Sequence, residues 1–250
     1  MPVLTIAGRE LRAMFTSTVG WLVLTAFLLL NGVFFLLWLD YFASASAQFS
    51  GGAYGDVELY LSEQLFAPFY GNVVTILLLL CPAVSMRMFA EERNKRTLEL
   101  LLTSPLSTVE IVVGKFLGAM GFVTIWLVGL LYAPILIWFW STPDLGTLLT
   151  AHLALLLVAA TSISIGALFS ALTDNQITAL VPTVCLGLAL YIVGSAGKTP
   201  DSFAGQISIL YHIDDLLLGG IRLSDLSYFV GLIGVFLFAT HQKVESFRWS

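Results

Sequence analysis

Six stretches of this chain are apolar over enough positions to cross a bilayer: 20–39, 72–90, 116–140, 148–172, 177–195 and 225–240. A helix rises about 1.5 Å per residue, so about 20 residues cover a hydrocarbon core of roughly 30 Å. The last stretch rises only about 24 Å at that pitch, so it must stand nearly upright or begin slightly earlier. Residues 3–16 follow a different pattern. Leu4, Ala7, Leu11, Met14 and Phe15 share one helical face, and Thr5, Arg9, Arg12 and Thr16 another. Two separate stripes, with arginines on the wet one, predict a helix lying in the membrane interface before the chain turns into the first span.

The stretch 203–221 is apolar but interrupted by Asp214-Asp215. Two adjacent carboxylates at mid-bilayer would cost several kcal/mol, so this stretch predicts short outer helices, interfacial or re-entrant, over 196–224. Gly219-Gly220 ends one of them. The expected fold class is therefore an all-α polytopic membrane protein. It has six transmembrane helices, an N-terminal interfacial helix over 1–19 and short outer helices before the last span, all in one domain over 1–250.

Composition agrees: 58% of 250 residues are hydrophobic, 11% are charged, and mean hydropathy is +0.92. A soluble domain is about a quarter charged. No basic patch stands clear of acidic neighbours, which argues against nucleic acid as a partner. Cys81 and Cys185 each sit within an apolar run and suggest neither a disulfide nor a metal site. Ala43-Ser44-Ala45 resembles a signal-peptidase site, but the apolar run before it exceeds the usual h-region of about 7–15 residues and is read as a retained span.

Charge distribution sets the orientation. Arg9, Arg12, Arg87, Arg93, Lys95, Arg96, Lys115, Lys243 and Arg248 fall on one side of the predicted topology, and only Lys198 and Arg222 on the other. By the positive-inside rule both termini are cytoplasmic, in a multi-pass protein of the cell inner membrane.

The one concentration of charge lies at 87–115, between the second and third spans. Arg87–Glu91, Glu91–Lys95 and Glu92–Arg96 are opposite charges at i,i+4, which predicts that the second span continues as helix beyond the membrane. Leu98, Leu101 and Leu102 form an apolar stripe beside Glu99, and Pro105 ends the helix. Ser107-Thr108-Val109-Glu110 has the form of a capping box and starts the next helix. By pattern alone this island is either a docking surface or a well-capped solvated loop.

Residues 89–118, FAEERNKRTLELLLTSPLSTVEIVVGKFLG, resemble the cytoplasmic segment of ABC-2-type permeases. The acidic-basic patch, T-L-E-x-L-L-x-x-P and G-K of that family fall on Glu91, Glu92, Arg96, Thr97, Leu98, Glu99, Leu101, Leu102, Pro105, Gly114 and Lys115. The six-span layout resembles the same family. The stretch from Tyr211-His212-Ile213-Asp214 through Gly220, Asp225 and Tyr228-Phe229 is similar to its gliding-motility-type branch.

The resemblance implies a non-catalytic transmembrane subunit. It would pair with a second permease subunit, identical or not, and with ABC ATPase subunits carrying ATP and Mg. Glu91, Glu92, Arg96, Thr97 and Glu99, with Leu98, Leu101, Leu102 and Pro105, would form the coupling segment seated on the ATPase. The alternative is the membrane component of an ATP-driven gliding-motility or envelope machine.

Other patterns carry less. Gly197-Lys198-Thr199 imitates the tail of a phosphate loop, but Ile192 stands where its first glycine is required. Asn31, Ser85, Thr161 and Ser162 are polar positions within spans that could line a translocation path. None is ionisable, which speaks against a proton relay, and an ion-driven secondary transporter would show midplane charges and paired repeats. Ser162, Gly166 and Ser170 recur at the small-residue spacing that lets helices approach closely. No zinc-protease or serine-hydrolase motif occurs.

Overall fold

The computed structural model of the chain describes residues 2–50, 61–97, 106–141, 143–196 and 202–248, and among these it is helical without strands. The elements are α1 (Pro2–Thr16), α2 (Thr18–Ser50), α3 (Ala67–Ser85), α4 (Ala90–Asn94), α5 (Thr108–Leu130), α6 (Tyr132–Trp138), α7 (Leu145–Leu172), α8 (Gln176–Ala196), α9 (Phe203–Ile207), α10 (Ile209–Leu217) and α11 (Leu223–Ser246). Six helical segments are long and apolar enough to cross a membrane: Thr18–Ala47, Ser62–Asn94, Thr108–Trp138, Leu145–Leu172, Gln176–Gly194 and Leu223–Ser246. The chain is an all-α polytopic membrane protein.

α7 is the axis of the bundle. Within its most apolar window 72% of residues are buried, against 22% for α2 and 17% for both α8 and α11. It packs against α3, α5, α8, α10 and α11. Small residues make this possible: a Cβ added to Gly166 would stand 1.9 Å from Ser85 Oγ and 2.5 Å from its Cβ. α2 sends Phe27 and Phe35 inward while Leu22, Leu29 and Leu36 remain exposed. α8 and α11 likewise expose Ile177, Val181, Val230, Val235 and Phe238. Such apolar faces suit lipid or another membrane helix.

Several elements run beyond the apolar stretches that announced them. α2 continues to Ser50, about 50 Å in all at 1.5 Å per residue, because nothing in 40–50 breaks a helix. α11 continues to Ser246 on polar but helix-compatible residues, so it is not short. Proline explains the irregularities. Ahead of Pro68 the chain forms a π-helical turn, Ser62–Phe66, with Ala67 N–H bonded to Ser62 C=O. Proline at 68 can neither donate a hydrogen bond nor tolerate an α-helical carbonyl four residues back. Leu131 separates α5 from α6 three residues before Pro134 for the same reason.

Two short helices form in 203–217, and Gly219 ends the second of them with φ 96°, a conformation that favours glycine. His212 of α10 is buried, its Nδ1 2.8 Å from Asp225 Oδ1 and its Nε2 3.0 Å from Gln206 O. Its ring stacks on Tyr228 at 4.0 Å. This network ties α9 and α10 to the start of α11. Nearby, Asp144 caps α7: the Thr147 hydroxyl and the amides of Thr147 and Gly146 donate to it and hold its carboxyl below the usual range.

Candidate functional site

The polar end of the bundle gathers the N-terminal helix, the start and finish of the 87–115 island, and the C-terminal end of α11. Its central residue is Lys115 of α5, whose side chain is 1% exposed. Lys115 Nζ lies 3.0 Å from Glu10 Oε1 of α1 and 2.8 Å from Glu92 Oε1 of α4. Arg9 adds a contact to Glu10 at 3.1 Å and a longer one to Glu92 at 3.9 Å. Lys115 also stands over the Phe89 ring at 5.5 Å. A buried ammonium ion without such partners would cost several kcal/mol, so the ion pairs fix three elements to one another.

The glycines on either side of Lys115 bring α1 this close. A Cβ at Gly114 would meet Ile6 Cβ and Cγ2 at 2.8 Å, and one at Gly118 would meet Glu10 Cβ at 2.7 Å and Ala7 O at 2.9 Å. α1 therefore lies directly on the backbone of α5 through Ile6, Ala7 and Glu10. Leu4, expected on the inner face, is exposed, while Arg9 and Arg12 are on the exposed side as expected.

The second span does not run unbroken into the island. α3 contains Pro82 and stops at Ser85; residues 86–89 form turns before α4 begins at Ala90. Ser170, from the far end of α7, repairs the break. Its hydroxyl accepts from the amides of Phe89 at 2.9 Å and Ala90 at 3.0 Å and donates to Met86 O at 2.8 Å. It acts as a helix cap supplied in trans. Ser170→Ala should leave two buried amides unpaired, at about 1–3 kcal/mol for an unsatisfied group. Hydrogen exchange should then speed up selectively in 86–94, and unchanged protection there would rule the cap out.

Of the charge pairs anticipated on the island, Arg87–Glu91 (3.1 Å) and Glu91–Lys95 (2.7 Å) are present. Glu92–Arg96 is not. Glu92 turns inward to Lys115, and Arg96 leaves helical geometry with φ 56°. Arg87 also donates to Ser17 Oγ at 2.6 Å, joining the turn before α4 to the corner between α1 and α2. Thr97 closes the turn with its amide on Glu92 O. Leu98, Glu99, Leu101, Leu102 and Pro105 lie outside the described residues, as does Gly197-Lys198-Thr199. The capping box at Ser107 and Glu110 forms in full.

The C-terminal end of α11 completes the arrangement. Thr108 donates a hydrogen bond to Glu245. Arg93 bonds Ala171 O at 3.1 Å and stands 4.9 Å over the Phe247 ring, which Lys243 also faces at 4.7 Å. Both legs of the island, α4 and the start of α5, are thus held by the same terminal turn.

The polar span residues sit elsewhere. Asn31, Ser85, Thr161 and Ser162 are buried. The first three bond back to carbonyls of their own helices, Phe27 O, Cys81 O and Leu157 O. Glu10, Lys115 and Ser170 carry more of the polar structure than sequence reasoning assigned to them. A lone acid at Glu10, on the face that holds Ile6 and Met14, was the available signal.

The model of the ABC-2 family transporter proteins matches residues 4–209. The chain belongs to that family. The matched region of this ABC-2 protein contains α1 from Leu4 on, the whole island and the first five spans, so the Lys115 contacts to Glu10 and Glu92 lie within it. No curated protein matches the chain.

Proposed function

We propose that this ABC-2 protein is the permease subunit of an ABC transporter, coupling ATP hydrolysis on separate ATPase subunits to movement of a cargo across the cell inner membrane. ATP and Mg would be held by those subunits and not by this chain. The observation that supports the reading best is the Lys115 cluster. It joins the base of the 87–115 island to α1 and α5, so a force on the island is carried into three elements at once and not dissipated in a loop.

The contacts within the chain support dividing the island's residues by role. Glu91 and Glu92 are engaged within the chain and keep the base rigid. Contact with an ATPase then falls to Arg96, Thr97 and the segment Leu98, Glu99, Leu101, Leu102 and Pro105. The clustering of Arg9, Arg12, Arg87, Arg93, Lys95 and Lys243 with this end supports placing it, and both termini, in the cytoplasm. A second permease subunit, identical or different, would cover the exposed faces of α2, α8 and α11. α7 leaves little room for a path inside one bundle, so a path would run between two.

Co-expression with candidate cassette ATPases and pull-down tests the coupling contact. The variant Thr97→Lys/Glu99→Lys should reduce ATPase recovery about tenfold, about 1.4 kcal/mol at a charged contact, without lowering the amount of folded permease. Undiminished recovery would refute the assignment. A gliding-motility or envelope machine would use the same contact for mechanical work. The residues that resemble that branch, from 211 onward, lie beyond the family match. ATP-dependent solute flux in vesicles would favour transport over that alternative.

A further inference from the structure

A cleft of about 620 Å3 opens between α1, the start of α2, α3 and α4, beside the Lys115 cluster and with Thr97 among its lining residues. Its inner wall is apolar, built from Met14, Val23, Ala83, Val84 and Phe122. Its rim is charged. Among the described lining residues four cations, Arg9, Arg87, Lys95 and Lys115, face three carboxylates, Glu10, Glu91 and Glu92, which leaves one surplus positive charge. Lys115 is enclosed by two of those carboxylates, whereas Arg87 and Lys95 share Glu91. The surplus therefore lies toward the mouth, where the Arg9 and Lys95 side chains are 55% and 65% exposed.

The position of the cleft is as informative as its lining. It straddles the corner where α1, the amphipathic helix, gives way to the first spanning helix at Thr18. One end therefore faces the aqueous boundary and the other the hydrocarbon. A soluble anion would leave the apolar wall uncovered, and a zwitterionic lipid would leave the surplus charge unmatched. A molecule with one negative charge and an acyl chain matches both. The volume is that of a small-molecule pocket, enough for a headgroup and the upper part of one chain.

We propose that this cleft is a binding site for an anionic phospholipid. Its phosphate diester sits at Arg9, Arg87 and Lys95, and one acyl chain lies along Val23, Ala83 and Phe122. Every residue of the site belongs to this chain, and Thr97, assigned above to the ATPase contact, also lines the cleft.

The test uses the full chain, delipidated in non-ionic detergent. It is titrated with phosphatidylglycerol, with phosphatidylcholine of the same acyl chains, and with glycerol 3-phosphate, and read by native mass spectrometry and thermal shift. Phosphatidylglycerol should bind at least about tenfold more tightly than phosphatidylcholine, and equimolar glycerol 3-phosphate should not displace it. Arg9→Gln/Lys95→Gln should weaken phosphatidylglycerol roughly 25-fold, near fivefold for each basic group at an anionic surface. Both side chains are largely exposed, Glu91 keeps Arg87, and Glu10 keeps Lys115, so the lipid-free melting midpoint should be unchanged. Ala83→Phe fills the apolar wall without altering charge and should abolish binding as well.

Three outcomes would overturn the proposal. Equal affinity for the two lipids would remove the anionic selectivity. Undiminished phosphatidylglycerol binding by Ala83→Phe would mean general attraction to a basic surface. Displacement by glycerol 3-phosphate would identify a soluble anion as the occupant.

Discussion

Lys115→Met should lower the unfolding free energy by about 3 kcal/mol, toward the low end for breaking a buried ion pair because Glu10 and Glu92 remain 17% and 21% exposed. The substitution keeps an unbranched apolar side chain one atom shorter and removes the ammonium, so two carboxylates that approach a common point would repel without an intervening cation. Replacing the whole cluster, Glu10→Leu/Lys115→Met/Glu92→Leu, should recover most of that loss, since apolar residues of similar volume often substitute for buried ion sets without penalty. Thermal unfolding of the purified protein in detergent measures both variants. Equal stability of Lys115→Met and the parent would mean that the cluster is solvated and joins nothing. Under the coupling reading the triple variant is the more informative of the two. It should fold yet respond weakly to ATP, because α1, α4 and α5 would be held by non-directional contacts alone.

Gly166→Ala should be nearly as damaging for the opposite reason, too much matter and not a missing charge. The added methyl would stand 1.9 Å from Ser85 Oγ, 2.5 Å from Ser85 Cβ and 3.2 Å from Thr183 Cγ2. Overpacking of this kind costs about 1–3 kcal/mol, and the upper end applies because the obstructing Cβ is fixed to a backbone. α3 and α7 must separate, which also pulls Ser170 away from the amides at 89 and 90. The exchange Ser85→Gly/Gly166→Ala transfers the bulk from one helix to the other. It should restore stability to within about 1 kcal/mol, the cost of a glycine in a helix interior. A fully stable Gly166→Ala single variant would show that the two helices do not meet at this level.

What could be read from the chain beforehand was whatever depends on near neighbours. The six spans follow from runs of apolar residues, the start of α5 from Ser107 and Glu110, and the end of α10 from Gly219. The N-terminal helix followed from residues within 14 positions of each other: Ala7, Leu11, Met14 and Phe15 of the expected face pack inward, Ile6 and Glu10 join them, and Leu4 lies outside. Contacts between distant segments were not legible. Lys115 and Glu10 are separated by 105 positions, and Ser170 and Ala90 by 80. Neither partner announces the other in a local pattern. Glu92 shows the limit well: its spacing to Arg96 satisfied a helical rule, but a buried ammonium ion competes more strongly for a carboxylate than an exposed guanidinium does. The break at 86–89 was equally hidden. Pro82 announces a disturbance, but the place where the chain recovers is set by a hydroxyl from another helix.

The terminal turn of α11, with Glu245 on Thr108 and Phe247 under Arg93, bears on how the protein is handled. Under the proposed coupling, an affinity tag appended to either terminus would emerge beside the face offered to the ATPase and crowd it. The exposed turn between α10 and α11, at the other end of α11 from this contact, is the better place for an epitope or fluorophore meant to leave assembly undisturbed.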